Sequence, residues 1–369
     1  MRNIIFGLLI GFWISALGCS KSTNPIPTPP SSGVTTPPTS QTAKRRPASI
    51  GIVGDTANVI KTVNGGMVLM GGGAEVDAAL QWMIAKSGGG DIVILRATGD
   101  AKLSEYVNTL GIVNSCETLL INSRELANND TVANIIRNAE MVFIAGGDQS
   151  DYMKYWKGTK TEVALNYVLN TKKAPVGGTS AGCAIMGGFY YSGENGSVTS
   201  QDALKNPFDS RITLYNNDFL KAPFLQSVIT DQHYLTRARR GRSMVFLGRI
   251  LTEFNVAAKG IAVDERTAVC IDGAGIAKVY GDLSKNATFS TAYFLSTDLN
   301  KKPEQFSAGN KVIWSNNKSA VAVYSIISSV EGAGSFNVSN FAMSEATGGT
   351  SETWYIENGV LSPEEIYKP

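Results

Sequence analysis

Met141-Val142-Phe143-Ile144-Ala145-Gly146-Gly147-Asp148-Gln149 is the stretch on which the fold turns. Five apolar residues run without interruption and then break at two glycines. A strand that is apolar at every position is covered on both faces, as in a parallel sheet between helices. The same texture recurs on either side. Met67-Val68-Leu69-Met70 runs into Gly71-Gly72-Gly73, and Asp91-Ile92-Val93-Ile94-Leu95 and Thr118-Leu119-Leu120-Ile121 read as further strands. Ala174-Pro175-Val176-Gly177 is a short fifth. Helical patterns fall between them, at Val76 to Ala85, Leu103 to Leu110, Asp130 to Asn138 with Asp130 as the N-terminal cap, and Glu162 to Leu169. Alternating strands and helices predict an α/β domain with a mostly parallel sheet and helices on both faces. In such sheets functional residues gather at the carboxyl ends of the strands, where residues 71–73 and 146–149 fall. Gly71-Gly72-Gly73 lacks the spacing of a dinucleotide fingerprint and reads as a tight turn.

The chain has 369 residues, 43% of them hydrophobic, which supports a sizeable core. Its net charge of +2 gives no global field that would argue for nucleic acid or an anionic surface. The N-terminus reads as a leader. Ile4 to Ala16 is apolar but short for a bilayer span, and Ala16-Leu17-Gly18-Cys19 has the form of a bacterial lipobox, with Cys19 the lipidated residue. A plain secretory signal cleaved near Gly18 is the other reading, and both export the protein. Residues 1–18 are thus expected to be a lipoprotein signal and 19–47 a Ser/Thr/Pro-rich tether. The catalytic domain is expected over 48–283, and a β-rich extension over 284–369. The expected place is the cell envelope, with the membrane as a partner through the lipid anchor. Without Cys19 three cysteines remain, an odd number that argues against a disulfide framework. Cys183 and Cys270 read as buried packing residues. A single histidine cannot anchor an ordinary zinc site, so no metal and no cofactor is expected.

Gly178-Thr179-Ser180-Ala181-Gly182 follows a strand and precedes a helix near Cys183, the slot of a nucleophile elbow. The Ala181 amide can donate to an oxyanion there. A serine nucleophile needs a base, and His233 is the one imidazole in the chain. A base role predicts a rate that rises with pH through the imidazole range, between about pH 5 and 8. The base needs an orienting acid, and the run Gly260 to Val263 ends in Asp264-Glu265. The residues alone leave that choice open. The order Ser, His, acid differs from the Ser, acid, His order of α/β-hydrolases.

Gly146-Gly147-Asp148-Gln149, Gly178 to Gly182, Asp231-Gln232-His233 with Arg237, Arg239 and Arg242, and Gly260 to Thr267 together resemble the cyanophycinase branch of the S51 serine peptidases, in one order across roughly residues 64 to 280. The resemblance implies a flavodoxin-like, class-I glutamine-amidotransferase-like fold. It implies Ser180 as nucleophile, His233 as general base and then acid, and Glu265 as the orienting acid, with Asp264 the neighbouring alternative. Gly147 would supply a second oxyanion amide beside that of Ala181. Gln149, Asp231, Gln232, Arg237, Arg239 and Arg242 would contact substrate, and the arginines suit carboxylates. The implied substrate is cyanophycin, a polymer of aspartate whose side chains carry arginine, released as β-Asp-Arg. Other Asp-X or isoaspartyl peptides are the alternative substrates, and a non-catalytic binding lipoprotein of the same fold is the alternative class. Nucleic acid is not an expected partner, and a homodimer is compatible with the sequence. The chain departs from the family in its exported N-terminus, its length beyond residue 283, and Cys183 where the family usually has Ala.

Overall fold

The computed structural model describes residues 46–285 and 290–365, which lie within one compact unit, Arg45–Pro369. The leader, Cys19 and the tether up to residue 45 lie outside the described residues. The strands read from sequence form the parallel centre of a nine-stranded sheet, in the order Ser115–Leu120, Asp91–Arg96, Met141–Ile144, Val176–Thr179, Gly66–Met70. Alternate side chains feed two cores, as the two-residue period of a strand requires. Val68, Met70, Ile92 and Ile94 pack with Leu80, Met83 and Ile84 of the helix Asp77–Lys86. Met67, Leu69, Val93 and Leu95 face the opposite core with Val132 and Ile136 of the helix Asp130–Asn138, and with Leu165 of Lys160–Tyr167. Burying each such aliphatic side chain is worth roughly 1.5–3 kcal/mol. The helix Asp130–Asn138 has the expected bounds but a different cap. The Asn129 side chain accepts from the amides of Thr131 and Val132, and Asp130 is the first helical residue.

A second, eight-stranded sheet was not legible as a separate sheet. Its centre is a parallel pair, Val228–Gln232 beside Lys259–Val263, with Asp231 opposite Ala262 and Gln232 opposite Val263. One face of this pair, through Ile261 and Val263, joins the core under the first sheet. The other face, with Ile229 and Ala262, packs against Met244, Val245 and Leu247 of the helix Arg240–Arg249. The β-rich texture beyond residue 283 is realised by strands that extend both sheets. Thr291–Ser296 pairs with Lys259–Val263, followed outward by Val321–Ile327, Thr350–Glu357 and Val360–Ser362, while Ala333–Asn337 closes one edge of the first sheet. Both carboxylate oxygens of Glu365 accept amides at the start of the helix Arg240–Arg249, from Arg240 at 3.0 Å and Gly241 at 2.8 Å. That carboxylate satisfies orphan donors and complements the positive helix end. The region after residue 283 therefore braces the strand that leads to Glu265 and the helix that follows His233.

Candidate active site

Ser180 stands on the corner between the strand Val176–Thr179 and the single-turn helix Ala181–Ala184, with φ 52° and ψ −114°. A side chain there is strained by about 1–3 kcal/mol, a cost met by the surrounding packing. The two glycines of Gly-x-Ser-x-Gly have separate steric causes. A Cβ on Gly178 would stand 2.5 Å from the Gly182 carbonyl carbon, and one on Gly182 would stand 2.2 Å from the Ile144 carbonyl oxygen. A helix of one turn has little macrodipole, so oxyanion stabilisation here rests on individual amides. Ala181 supplies the first amide of that turn. The Gly146-Gly147 turn lies against the serine, since a Cβ on Gly146 would be 3.3 Å from Ser180 Cβ. The buried Tyr152 hydroxyl fixes this turn by donating to the carbonyls of Ala145 at 2.7 Å and Gly146 at 3.2 Å.

Pairing of Met70 with Thr179 sets the glycines 71–73 beside the elbow, and the Ser180 amide donates to the Met70 carbonyl at 3.0 Å. The parallel register of Gln232 with Val263 delivers His233 and the pair Asp264-Glu265 to the same carboxyl end of the two central strands of the second sheet. His233 Nε2 lies 2.7 Å from Ser180 Oγ, and its Nδ1 lies 2.6 Å from Glu265 Oε1. With the Nδ1 proton directed at the carboxylate, Nε2 is free to accept the serine proton. Asp264 is turned elsewhere. Its fully buried carboxylate accepts the Thr236 amide at 3.0 Å and so steadies the segment that follows His233. Burial pushes the Asp264 carboxyl above its usual range.

The glycine turn is a bed for these groups. A Cβ on Gly71 would stand 1.9 Å from the Asp264 carbonyl oxygen, one on Gly72 2.3 Å from His233 Cε1, and one on Gly73 3.1 Å from Glu265 Oε2. The turn also bonds to what it carries. The Gly71 carbonyl accepts the His233 amide at 2.9 Å, and the Gly72 carbonyl accepts the Arg266 amide at 2.9 Å. Three consecutive glycines before a helix are a signal that sequence reading assigned only to a turn. Burial pulls the His233 imidazole down to about 4, helped by Arg237 and Arg239 and opposed by Glu265, so it is neutral near pH 7.

The candidate substrate residues separate. Arg237 lines the cleft at Ser180 together with Gly72, Gly146, His233 and Arg96, in a space of about 510 Å³. Asp231, Arg239 and Arg242, expected to touch substrate, are instead buried and engaged with one another. Asp231 accepts from Arg242 Nε at 3.0 Å and from Ser243 Oγ at 2.6 Å, and Arg239 lies 3.7 Å away. Burial opposes ionisation of Asp231, but Arg242, Arg239 and Ser243 hold its carboxyl below the usual range. Gln232 is buried, and its carbonyl accepts from Arg239 at 2.7 Å. Gln149 begins the helix Gln149–Trp156 and reaches toward the Tyr191 carbonyl at 3.5 Å. Arg96, missed in sequence because it ends an ordinary strand, donates to the carbonyls of Thr98 and Asp100 and so shapes the cleft wall. Cys116, Cys183 and Cys270 are free and buried. Among the described residues no group of three or more His, Cys, Asp or Glu could hold a metal ion, and no helix is long and apolar enough to cross a membrane.

Residues 101–279 match the model of peptidase family S51, a segment that contains Ser180, His233 and Glu265. Two solved structures are similar over 60% of this chain, each at 15% identity. One is a peptidase from an acI-B1 Actinobacterium, with a TM-score of 0.43 and 89% of its chain covered. The other is a protein named as a candidate peptidase E from Listeria monocytogenes EGD-e, with a TM-score of 0.39 and 100% covered. No curated protein matches the chain.

Proposed function

We propose that the chain is a serine exopeptidase that hydrolyses cyanophycin to β-Asp-Arg through an acyl-enzyme. The observation that carries this reading is the continuous relay from Ser180 Oγ to His233 Nε2 at 2.7 Å and from His233 Nδ1 to Glu265 at 2.6 Å. Ser180 Oγ attacks a backbone carbonyl while His233 Nε2 takes its proton. The amides of Ala181 and Gly147 receive the developing oxyanion. His233 returns the proton to the departing amine, and water, deprotonated by the same nitrogen, releases the acyl group. Glu265 holds the tautomer and stabilises the transient imidazolium. Arg237 faces the cleft as the carboxylate anchor.

The same chemistry on Asp-X or isoaspartyl dipeptides is the second reading, favoured because Arg237 alone of Arg237, Arg239 and Arg242 lines the cleft. Incubating the chain with purified cyanophycin and following β-Asp-Arg by mass spectrometry decides between them. Release from polymer supports the first reading, and turnover of dipeptides alone supports the second. A binding lipoprotein of the same fold would hold peptide and release nothing.

The reading places the enzyme outside the cytoplasm on a lipid anchor, supported by the apolar leader and Cys19. An exported enzyme would act on polymer or peptides released into the surroundings. Labelling of the chain with a fatty-acid analogue in a bacterial host is expected, and its persistence in Cys19→Ala would remove the anchor from the reading.

A further inference from the structure

The cleft at Ser180 continues past Glu75. Glu75 and Tyr106 line both this cleft and a second groove of about 620 Å³, whose wall also includes Asp77, Arg266 and Asp282. Each space is of the size that holds one small ligand. Glu75 lies two residues after the glycine bed, beyond Ala74, so the same stretch of backbone sets its place relative to His233 and Glu265.

Several charged groups along this path already have partners. The Tyr106 hydroxyl donates to Asp77, and Asp282 pairs with Lys285 at 3.7 Å. Three do not: among the described residues no hydrogen bond or ion pair engages the charged groups of Arg237, Glu75 or Arg266. They alternate in sign along the path, from Arg237 in the cleft, through Glu75 at the junction, to Arg266 in the second groove. A charge on a cavity wall with no internal partner is available to an ionic group of the ligand. A dipeptide seated at Ser180 would leave the second groove, and Arg266 with it, unused.

We propose that the cleft and the adjoining groove form one extended channel for a peptide of alternating carboxylate and cationic groups, with Glu75 and Arg266 as specificity-determining residues. The orientation of the peptide along the channel rests on the reading of Ser180 as the nucleophile.

The test is binding to the full chain carrying Ser180→Ala, measured by titration calorimetry. The probes are a tetrapeptide of alternating aspartate and lysine, an all-aspartate tetrapeptide, and an aspartyl-alanine dipeptide. The alternating tetrapeptide is expected to bind about tenfold or more tightly than either other probe, the scale of one additional charge-assisted contact. Glu75→Gln and Arg266→Gln, each added to Ser180→Ala, are expected to reduce that preference about fivefold or more. Equal affinity for the three probes, or a preference that survives both substitutions, overturns the channel. Turnover by the wild-type chain separates the two readings. A binding preference without hydrolysis of any peptide refutes the peptidase and leaves the channel standing, whereas hydrolysis without the preference refutes the channel alone.

Discussion

The imidazole of His233 packs where a side chain on Gly72 would begin: a Cβ on Gly72 would stand 2.3 Å from Cε1 of the ring, at a residue whose φ is already +99°. Gly72→Ala therefore has to move the ring. A displacement near 1 Å costs about a hundredfold in rate, so kcat is expected to fall by at least about that factor. Gly73→Ala, whose Cβ would meet Glu265 at 3.1 Å, should cost less in rate. Steady-state kinetics of the two variants, with circular dichroism to confirm folding, check this order.

Ser180, the proposed nucleophile, stands on a strained backbone. Ser180→Gly removes the nucleophile and relieves a backbone at φ 52° and ψ −114°. It should abolish turnover while raising stability by about 1 kcal/mol, because strain of this kind costs about 1–3 kcal/mol. Ser180→Ala should abolish turnover without that gain. Thermal unfolding of both, beside the wild type, gives the comparison.

The acids beside the histidine should part cleanly. Glu265→Gln disturbs the tautomer of His233 and should lower kcat by about 10³–10⁴-fold, with little change in KM. Asp264→Asn, which keeps an acceptor for the Thr236 amide, should retain most activity. The reverse result would reassign the triad acid.

The pH profile follows from burial of the imidazole. The base must be neutral, so kcat/KM falls as pH drops through the His233 value. With that value pulled down to about 4, the acid limb lies well below the ordinary 6.5. The rise between pH 5 and 8 expected from an unperturbed histidine is replaced by a nearly flat region. Arg237→Gln removes a cation that disfavours imidazolium, so it should move the acid limb upward. An acid limb that stays near 6.5 in the wild type contradicts the buried, neutral ring.

The arginines should give opposite phenotypes. Arg242→Ala leaves Asp231 as a buried carboxylate short of its main partner, which costs about 3–5 kcal/mol. It should appear as lost folding or a lowered melting temperature. Arg237→Ala should leave the melting temperature in place and raise KM for acidic substrates. Chemical denaturation and kinetics on the two variants together assign each residue to packing or to substrate.

The central parallel strands were legible because unbroken apolar runs such as Met141 to Ile144 are explained by burial on both faces. Ser180 was legible from its glycine elbow after a strand and His233 from being the one imidazole of the chain, whereas the strand-end pair Asp264-Glu265 was legible only as a pair. The second sheet was less so: Val228-Ile229-Thr230-Asp231-Gln232 is short, mixed in polarity and paired with residues far away in the chain. The cap at Asn129 was misplaced by one residue because two adjacent polar side chains suit the same role.

The sequence by itself determined the chemical inventory, namely one imidazole, one serine on a glycine elbow and an acid pair after an apolar run. These are local facts of residue type and spacing. Only the tertiary structure decided which acid meets His233, which arginine faces the cleft, and what Gly71-Gly72-Gly73 is for. Those outcomes depend on register between strands distant in sequence and on which charges neutralise one another in the core. Asp231 and Arg242 look like substrate contacts in the chain, yet burial commits them to each other. Gly72 looks like a turn residue, yet it is the floor on which His233 rests.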